Sequence, residues 1–363
     1  MKIDKIEVAQ LDSPLITPFK TAERTAYNIC NMVVRVTSDT GVTGFGEAPP
    51  TAVITGDTRG SIRCAIEEFI TPALTGMDIE DIDGISRKLR SAVVRNTSAR
   101  AAVDMAVYDL WAKSLKRPLY QLLGGHADVI ETDITISVNP VEEMVSDSLK
   151  AVERGFKCLK IKVGKSGMED VERIAAVRQA VGPKICLRVD ANQGWDVKTA
   201  LRIIRALEEK ELDIDLIEQP VPAADFHGMV QCTAQSTIPI LADESVFTPR
   251  DAIRVLEERA ADIINIKLMK TGGIYEALKI ISIAESYGVQ CMIGQMLEGK
   301  IATAAAAHLG AAKSTCTRAD LDGPSLCSRD LYEGGPSFEG PYIRLTQAPG
   351  LGITGVPCFS QEQ

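Results

Sequence analysis

The chain has 363 residues, which at roughly 150 residues per domain predicts two domains and excludes a single small module. Hydrophobic residues make up 45% and charged residues 25%, a globular composition with enough apolar material for a large core, so a disordered chain is excluded. Lys and Arg number 40 against 49 Asp and Glu, a net charge of -9 that disfavours nucleic acid and anionic membranes and favours a cationic ligand or a metal.

The opening run Met1–Val8 alternates apolar and charged residues as a strand does, with no apolar signal-peptide core behind it. Alternation returns at Met32–Thr37, followed by the turn Ser38-Asp39-Thr40-Gly41 and then Val42–Glu47, which predicts an antiparallel hairpin. From Ser61 the pattern turns helical, and Ser98–Leu115 sets Ala99, Ala102, Val103, Ala106, Leu110 and Trp111 at helical spacing. Strands followed by helices predict an α+β domain over 1–125, closed by the turn at Gly124-Gly125.

Short β-rich runs then recur at Thr132–Val138, Cys158–Val163, Ile185–Val189, Leu216–Glu218, Ile240–Ala242, Ile263–Lys267 and Cys291–Ile293. The polar residues 160, 190, 218, 243 and 267 near the run ends are 30, 28, 25 and 24 positions apart, the length of one strand, one helix and two loops. Such units predict a parallel sheet, and the span from Thr132 to about Asp322 holds eight strands, so a closed α/β barrel over 126–325 is favoured over an open doubly wound sheet. No G-x-G-x-x-G supports a dinucleotide fold. The Gly- and Pro-rich segment 326–363 is too irregular for another unit and is expected to pack back on the first domain. The longest small-apolar stretch, Ile301–Leu309, is too short for a membrane span of about 20 residues. Nine scattered cysteines without a C-x-x-C pair read as reduced thiols of a cytoplasmic protein.

The C-terminal strand ends of a parallel barrel face its active mouth, and here they are charged. Asp190, Glu218 and Asp243 end three successive strands. Three carboxylates on one mouth repel one another unless a hard cation lies between them, and Mg²⁺ suits such a site; zinc does not, with three scattered histidines. Helix capping explains one Asp, but it does not select Glu at position 218. Glu244 is a candidate partner behind the ligands. Lys160 and Lys162 lie two apart, hence on one face of a strand. Taken alone, such a pair reads as solvated lysines on an edge strand. Lys267, three barrel units past Asp190, stands across the mouth from Lys162, and two lysines on opposite faces of an enolate-stabilising metal can remove an α-proton and return it from the other side. Elimination or cyclisation can use the same parts with one base acting, so this pattern leaves the reaction open.

Lys160-Ile161-Lys162, Asp190-Ala191-Asn192, Glu218-Gln219-Pro220, Ala242-Asp243-Glu244-Ser245 and Ile266-Lys267, with Pro118–Gly125 before the barrel, resemble the enolase superfamily in its muconate lactonizing enzyme subgroup over nearly the full chain. The resemblance implies a modified (β/α)7β TIM barrel under an N-terminal α+β capping domain. It implies Asp190, Glu218 and Asp243 as Mg²⁺ ligands, with Asn192 and Glu244 supporting them. It further implies Lys162 and Lys267 as opposed bases, with Lys160 neutralising the substrate carboxylate. Arg318-Ala319-Asp320-Leu321-Asp322-Gly323-Pro324 matches the D-x-D of the dipeptide epimerase branch, which implies that Asp320 and Asp322 hold a dipeptide's ammonium group. Phe19–Thr25 and Ile54-Thr55-Gly56-Asp57 resemble the members acting on L-Ala-D/L-Glu, which makes Arg24 the expected partner of the glutamate side chain. Gln295, Leu297 and Glu298, in Gly294–Lys300, border the first-residue pocket, and Thr135 and Ser137 line the same cavity; Glu298 faces either the site or solvent.

The reading is thus a cytoplasmic, Mg²⁺-dependent isomerase, a homo-oligomer with a small-molecule dipeptide partner and neither nucleic acid nor membrane. It inverts the second residue of a peptidoglycan-derived L-Ala-D/L-Glu dipeptide by two-base proton transfer through an enediolate. Alternatives are a cycloisomerase, dehydratase or N-acyl amino acid racemase of the same subgroup, an epimerase for other dipeptides, or a noncatalytic binding protein.

Overall fold

The computed structural model describes residues 1–21, 24–125 and 127–359. Three antiparallel strands open the chain: β1 (Ile3–Lys20), β2 (Thr25–Ser38) and β3 (Thr43–Ala48). The β2–β3 hairpin forms at the expected turn, where Gly41 takes φ 81°, a left-handed conformation that glycine adopts without steric cost. β1 runs 18 residues, well past the expected Val8, because it keeps pairing with β2 as far as Pro14 and, after a break in register, again at Phe19 and Lys20.

The helix Thr97–Ser114 lies across this sheet and is buried along most of its length, which its small residues permit. It packs on β3 at Gly44 and Gly46, where a Cβ would run into the carbonyls of Ala106 and Ala102. Asp109, at the centre of this packing, accepts from Phe45 N at 2.8 Å, Leu351 N at 2.7 Å and Lys113 Nζ at 2.7 Å, so one buried carboxylate ties the sheet, the helix and the C-terminal segment together.

After β4 (Val129–Glu131) come eight parallel strands: β5 (Ile134–Ile136), β6 (Cys158–Lys162), β7 (Cys186–Asp190), β8 (Ile214–Glu218), β9 (Ile240–Ala242), β10 (Ile263–Lys267), β11 (Gln290–Gly294) and β12 (Cys316–Asp320). They pair in sequence order from β5 to β12 with helices between, and among the described residues no helix leads from β12 back to another barrel strand, which is the (β/α)7β arrangement. Along each strand, residues facing the helices are apolar, as with Leu159, Ile161, Leu187 and Val189, while the alternate residues face inward. Leu216, Leu241, Ile263 and Met292 form a separate small apolar cluster inside the barrel.

Between β5 and β12 the ladder is replaced by other bonds. Asp133 N donates to Ala319 O at 3.2 Å, Leu321 N donates to Thr132 Oγ1 at 2.8 Å, and Arg188 reaches across from β7 to Asp133 Oδ2 at 2.8 Å and Ala319 O at 3.1 Å. In the C-terminal segment, Tyr342–Arg344 pairs with β4, Cys327 bridges to Leu15 and Ile353 O accepts from Lys113 Nζ. Gly46→Ala is expected to cost about 1–3 kcal/mol by overpacking against backbone. Gly60→Ala, where the nearest atom is Thr58 Oγ1 at 3.9 Å, is expected to cost nothing. Chemical denaturation of the two variants checks the contrast.

Candidate active site

Strand register sets the site. Lys162 pairs with Asp190, Asp190 with Glu218, and Glu218 with Leu241, which puts the polar ends of β6, β7 and β8 at one height with Asp243 just beyond β9. Lys160 Nζ lies 2.7 Å from Glu218 Oε2, 3.0 Å from Asp190 Oδ2 and 2.7 Å from Asp320 Oδ2. Lys162 Nζ is 2.6 Å from Asp190 Oδ2, and Lys267 Nζ is 2.6 Å from Asp243 Oδ2. Since β6 and β10 are four strands apart in an eight-stranded sheet, Lys162 and Lys267 stand on opposite sides of the mouth.

These charges set one another's ionisation. Burial raises the Asp190 carboxyl, but Lys162 and Lys160 outweigh it and hold it at about 2. Asp243 is likewise held down, against burial, by Lys267 and Lys270. Glu218 goes the other way, pushed up to about 7 by burial and by Asp190, and Glu244 to about 8 by burial and by Asp243. Burial opposes the charge on Lys267, yet Asp243 and Glu218 hold its ammonium well above the ordinary lysine value.

Among the described residues, no three His, Cys, Asp or Glu side chains stand in a metal-holding arrangement; Lys160 lies between Asp190 and Glu218, and Lys267 between Glu218 and Asp243. The donor set nevertheless fits a hard divalent cation. Buried carboxyls outnumber buried ammoniums here: Asp190, Glu218, Asp243, Glu244, Asp320 and Asp322 stand against Lys160, Lys162, Lys267 and Lys270, and burial together with that excess pushes Glu218, Glu244 and Asp322 toward neutrality. Both Glu244 oxygens are buried without a hydrogen-bond partner. All the donors are carboxylate oxygens, the ligand type of Mg²⁺.

Above this layer a cavity is lined by Phe19, Thr21, Arg24, Ile54, Thr135, Lys162, Asn192, Lys267, Gln295, Met296, Leu297, Asp320 and Asp322. Of the residues singled out in the sequence, Lys162, Lys267, Arg24, Thr135, Asn192, Gln295, Leu297, Asp320 and Asp322 therefore meet at one space. Lys160, Asp190, Glu218 and Asp243 lie beneath it. Glu244 lines a neighbouring cavity with Thr55, Arg95, Arg100 and Arg254. Ala22 and Glu23 of the Phe19–Thr25 motif lie outside the described residues.

Thr135 N donates to Asp322 Oδ2 at 2.7 Å, while burial and Asp320 push the Asp322 carboxyl up to about 6. Gln295 satisfies both ends of its amide with its oxygen toward Asp322 N at 2.9 Å and Gly323 N at 2.5 Å and its nitrogen toward Thr303 Oγ1 at 2.7 Å, so it braces the turn that carries Asp322. Glu298 does not face solvent: it is 1% exposed, and its Oε1 folds back to accept from Met296 N at 2.8 Å. Ser137 does not line this cavity; its hydroxyl accepts from Lys20 N at 3.0 Å.

Sequence reasoning gives no role to Asn265, Gln219, Lys270, Glu47 or Tyr332. Asn265 Nδ2 donates to Glu218 Oε1 at 2.8 Å, and its position two before Lys267 on β10 is the spacing that identified Lys160 and Lys162. Gln219 Oε1 accepts from Asp243 N at 3.0 Å and Ser245 N at 3.2 Å. Lys270 Nζ lies 2.6 Å from Asp243 Oδ1, but it follows the strand and has no periodic signal. Glu47 of β3 accepts from Ile301 N and Ala302 N at 3.1 Å, at the start of helix Lys300–Ala312, and from the Tyr332 hydroxyl. The first domain and the C-terminal segment thus hold the helix that follows the Gln295–Gly299 loop.

A family model described as "Mandelate racemase / muconate lactonizing enzyme, N-terminal domain" matches residues 5–124, and one described as "Enolase C-terminal domain-like" matches 143–356. The chain is 51% identical over 98% of its length to a Clostridium acetobutylicum protein named L-Ala-D/L-Glu epimerase, 99% of which is covered. Its fold is similar to the substrate-liganded L-Ala-D/L-Glu epimerase from Bacillus subtilis, at a TM-score of 0.97 and 48% identity, with 98% of this chain and 99% of that one covered. It is also similar to a dipeptide epimerase from Enterococcus faecalis complexed with Mg and L-Leu-L-Tyr, at a TM-score of 0.95 and 40% identity, over 98% and 100% of the two chains. The chain belongs to the mandelate racemase/muconate lactonizing enzyme family of the enolase superfamily.

Burial pushes the Glu47 carboxyl up to about 7, and the Tyr332 hydroxyl opposes that rise. A folded-state value above the unfolded one means that stability falls as pH rises through it. Tyr332→Phe removes the opposing donor, so its cost is expected to be about 1–3 kcal/mol at pH 8, where the carboxylate is charged, and smaller at pH 5, where Glu47 is protonated in both proteins. Urea unfolding of wild type and variant at the two pH values measures it.

Proposed function

We propose that this family member is a Mg²⁺-dependent isomerase that epimerises a dipeptide at the α-carbon of its second residue, with L-Ala-L-Glu and L-Ala-D-Glu as the interconverted pair. The observation that carries the reading is the placement of Lys162 and Lys267 on opposite sides of one cavity whose wall also holds Asp320, Asp322 and Arg24. The names of the relatives at 51% and 48% identity support the choice of dipeptide.

A hard divalent cation bound by Asp190, Glu218 and Asp243 supplies the positive charge that makes a proton α to the terminal carboxylate acidic. Lys162 takes that proton from one face and Lys267 returns one to the other, or the reverse for the opposite isomer. The carboxylates that hold the Lys267 ammonium charged must release it for base work: with Asp243 and Glu218 engaged elsewhere, its pKa falls toward the operating range. Lys160, between Asp190, Glu218 and Asp320, keeps positive charge near the substrate carboxylate. Asp320 and Asp322 take the dipeptide's ammonium, the Asn192 backbone N–H steadies the ligand carboxylate of Asp190, and Glu244 adds its negative charge next to Asp243. Arg24 meets the glutamate side chain, while Thr135, Gln295 and Leu297 bound the space for the first residue. Glu298 acts from beneath that loop.

An N-acyl amino acid, a muconate or a dehydratase substrate has no α-ammonium for the Asp320–Asp322 pair, which sets those reactions below epimerisation. Nine free thiols among the described residues, and no helix long and apolar enough to cross a membrane, are compatible with a cytoplasmic enzyme; we assign its dipeptide to peptidoglycan turnover.

Lys162→Ala and Lys267→Ala are each expected to slow interconversion by about 10²–10⁴-fold or more, the usual contribution of a general base. Each should still exchange the α-proton of one diastereomer with solvent deuterium, and the two variants should act on opposite diastereomers. Wild-type interconversion by either variant would overturn the two-base scheme. Chelation is expected to abolish turnover and added Mg²⁺ to restore it, read by polarimetry of the dipeptide. Asp320→Ala is expected to raise KM for the dipeptide by about tenfold or more, the loss of one charge-assisted contact.

A further inference from the structure

At the opposite end of the barrel from the lysines, Cys158 and Cys186 are direct register partners on the adjacent parallel strands β6 and β7. Their sulfurs are 3.2 Å apart, closer than two unlinked sulfurs in van der Waals contact, so one thiol is aimed at the other. Strand alternation puts Cys158 on the face of Lys160 and Lys162, and Cys186 on the face of Arg188 and Asp190. Both are half-buried, so small solutes reach them. Parallel neighbours pair at a backbone separation of about 4.8 Å, inside the Cα range that a disulfide spans, and only the sulfurs need to close the remaining distance.

The surroundings tell the two apart. The Cys186 thiol is held below its ordinary value by the hydrogen bond from Cys158; burial and Asp215 oppose this, and Arg188 and Arg318 assist it. Cys158, the donor in that bond and more buried, is pushed up. A thiol whose ionisation is eased by two nearby guanidinium groups, in contact at 3.2 Å with a second thiol that stays protonated, is the arrangement of an attacking and a resolving cysteine. The other register pair, Cys291 and Cys316 on β11 and β12, lacks it: burial pushes both thiols up, Cys316 to about 12, and no sulfur contact joins them among the described residues. Cys64 is exposed, but burial and the nearby Glu68 and Glu67 push its thiol up as well.

We propose that Cys158 and Cys186 form a peroxide-reactive dithiol at the base of the barrel, a modification site that closes to a disulfide between β6 and β7. The Cys186 thiolate attacks one oxygen of hydrogen peroxide, the O–O bond breaks, and hydroxide leaves, giving the sulfenic acid. The Cys158 sulfur then attacks the Cys186 sulfur, its proton and the sulfenic hydroxyl depart as water, and the S–S bond forms. Two thiols lose two electrons in total, and one peroxide gains them.

The test treats the full chain, folded, with one equivalent of hydrogen peroxide, alkylates the remaining thiols in denaturant and maps the peptides by mass spectrometry. The expected result is a fall from nine free thiols to seven, with the peptides of Cys158 and Cys186 joined and both thiols returned by dithiothreitol. In Cys158→Ser, Cys186 is expected to stop at the sulfenic acid and be captured by dimedone; the wild-type map stands alone if this variant does not fold. Cys158 and Cys186 remaining alkylatable while Cys64 or the Cys291–Cys316 pair is consumed would overturn the proposal.

Discussion

The rest of the molecule is arranged around a charge imbalance at one end of the barrel. Buried carboxyls outnumber buried ammonium groups there, where the Coulomb energy of each pair is several times its value in water and an unmatched charge is costly. Each lysine is therefore tied to named carboxylates: Lys160 to three of them, Lys162 to Asp190, and Lys267 and Lys270 to Asp243. The negative excess falls on Glu218 and Glu244, whose carboxyls rise toward neutrality, and that residual charge is what a divalent cation answers.

Holding such a cluster requires backbone that gives way to nothing. The strands end in tight turns in which Asn192 and Gln219 take φ values of 43° and 37°, a left-handed conformation that costs non-glycine residues of order 1–3 kcal/mol. The strain is contained by specific bonds: Asn192 N to Asp190 Oδ1 at 2.8 Å, Gln193 N to Gln219 O at 2.9 Å, and the Gln219 amide to the backbone of Asp243 and Ser245. The first domain adds support from outside. Asp104 accepts from Ile274 N at 2.6 Å and Glu47 caps the helix at Lys300, so two buried carboxylates of that domain reach amides at the starts of two barrel helices. The cavity lies between the two parts, with Phe19, Arg24 and Ile54 on one side and the strand ends on the other.

Much of this was legible in the sequence because strands write their geometry as alternation. The spacing of Lys160 and Lys162, the carboxylates ending three apolar runs, and the distances between runs together carried the barrel and the facing lysines. The same alternation points to Asn265, two before Lys267, but a neutral side chain carries no charge signal. Lys270 lies beyond the strand in a short helix, and Glu47 and Tyr332 meet across 285 positions, so neither has a local pattern to reveal it. Nothing in the local pattern sets Arg188 apart from other charged strand residues, yet it spans the gap between β5 and β12. Gln295 lines the cavity as its loop position predicts, and its hydrogen bonds, like that of Glu298, also brace the loop itself, which loop position alone does not reveal.

The central claim is that two lysines on opposite faces exchange one α-proton of a dipeptide. The most direct measurement is proton NMR of L-Ala-L-Glu in D₂O with the Mg²⁺-loaded wild-type protein, following the glutamate α-proton. The account predicts loss of that signal together with growth of the L-Ala-D-Glu diastereomer; a folded, metal-loaded protein that produces neither would contradict it.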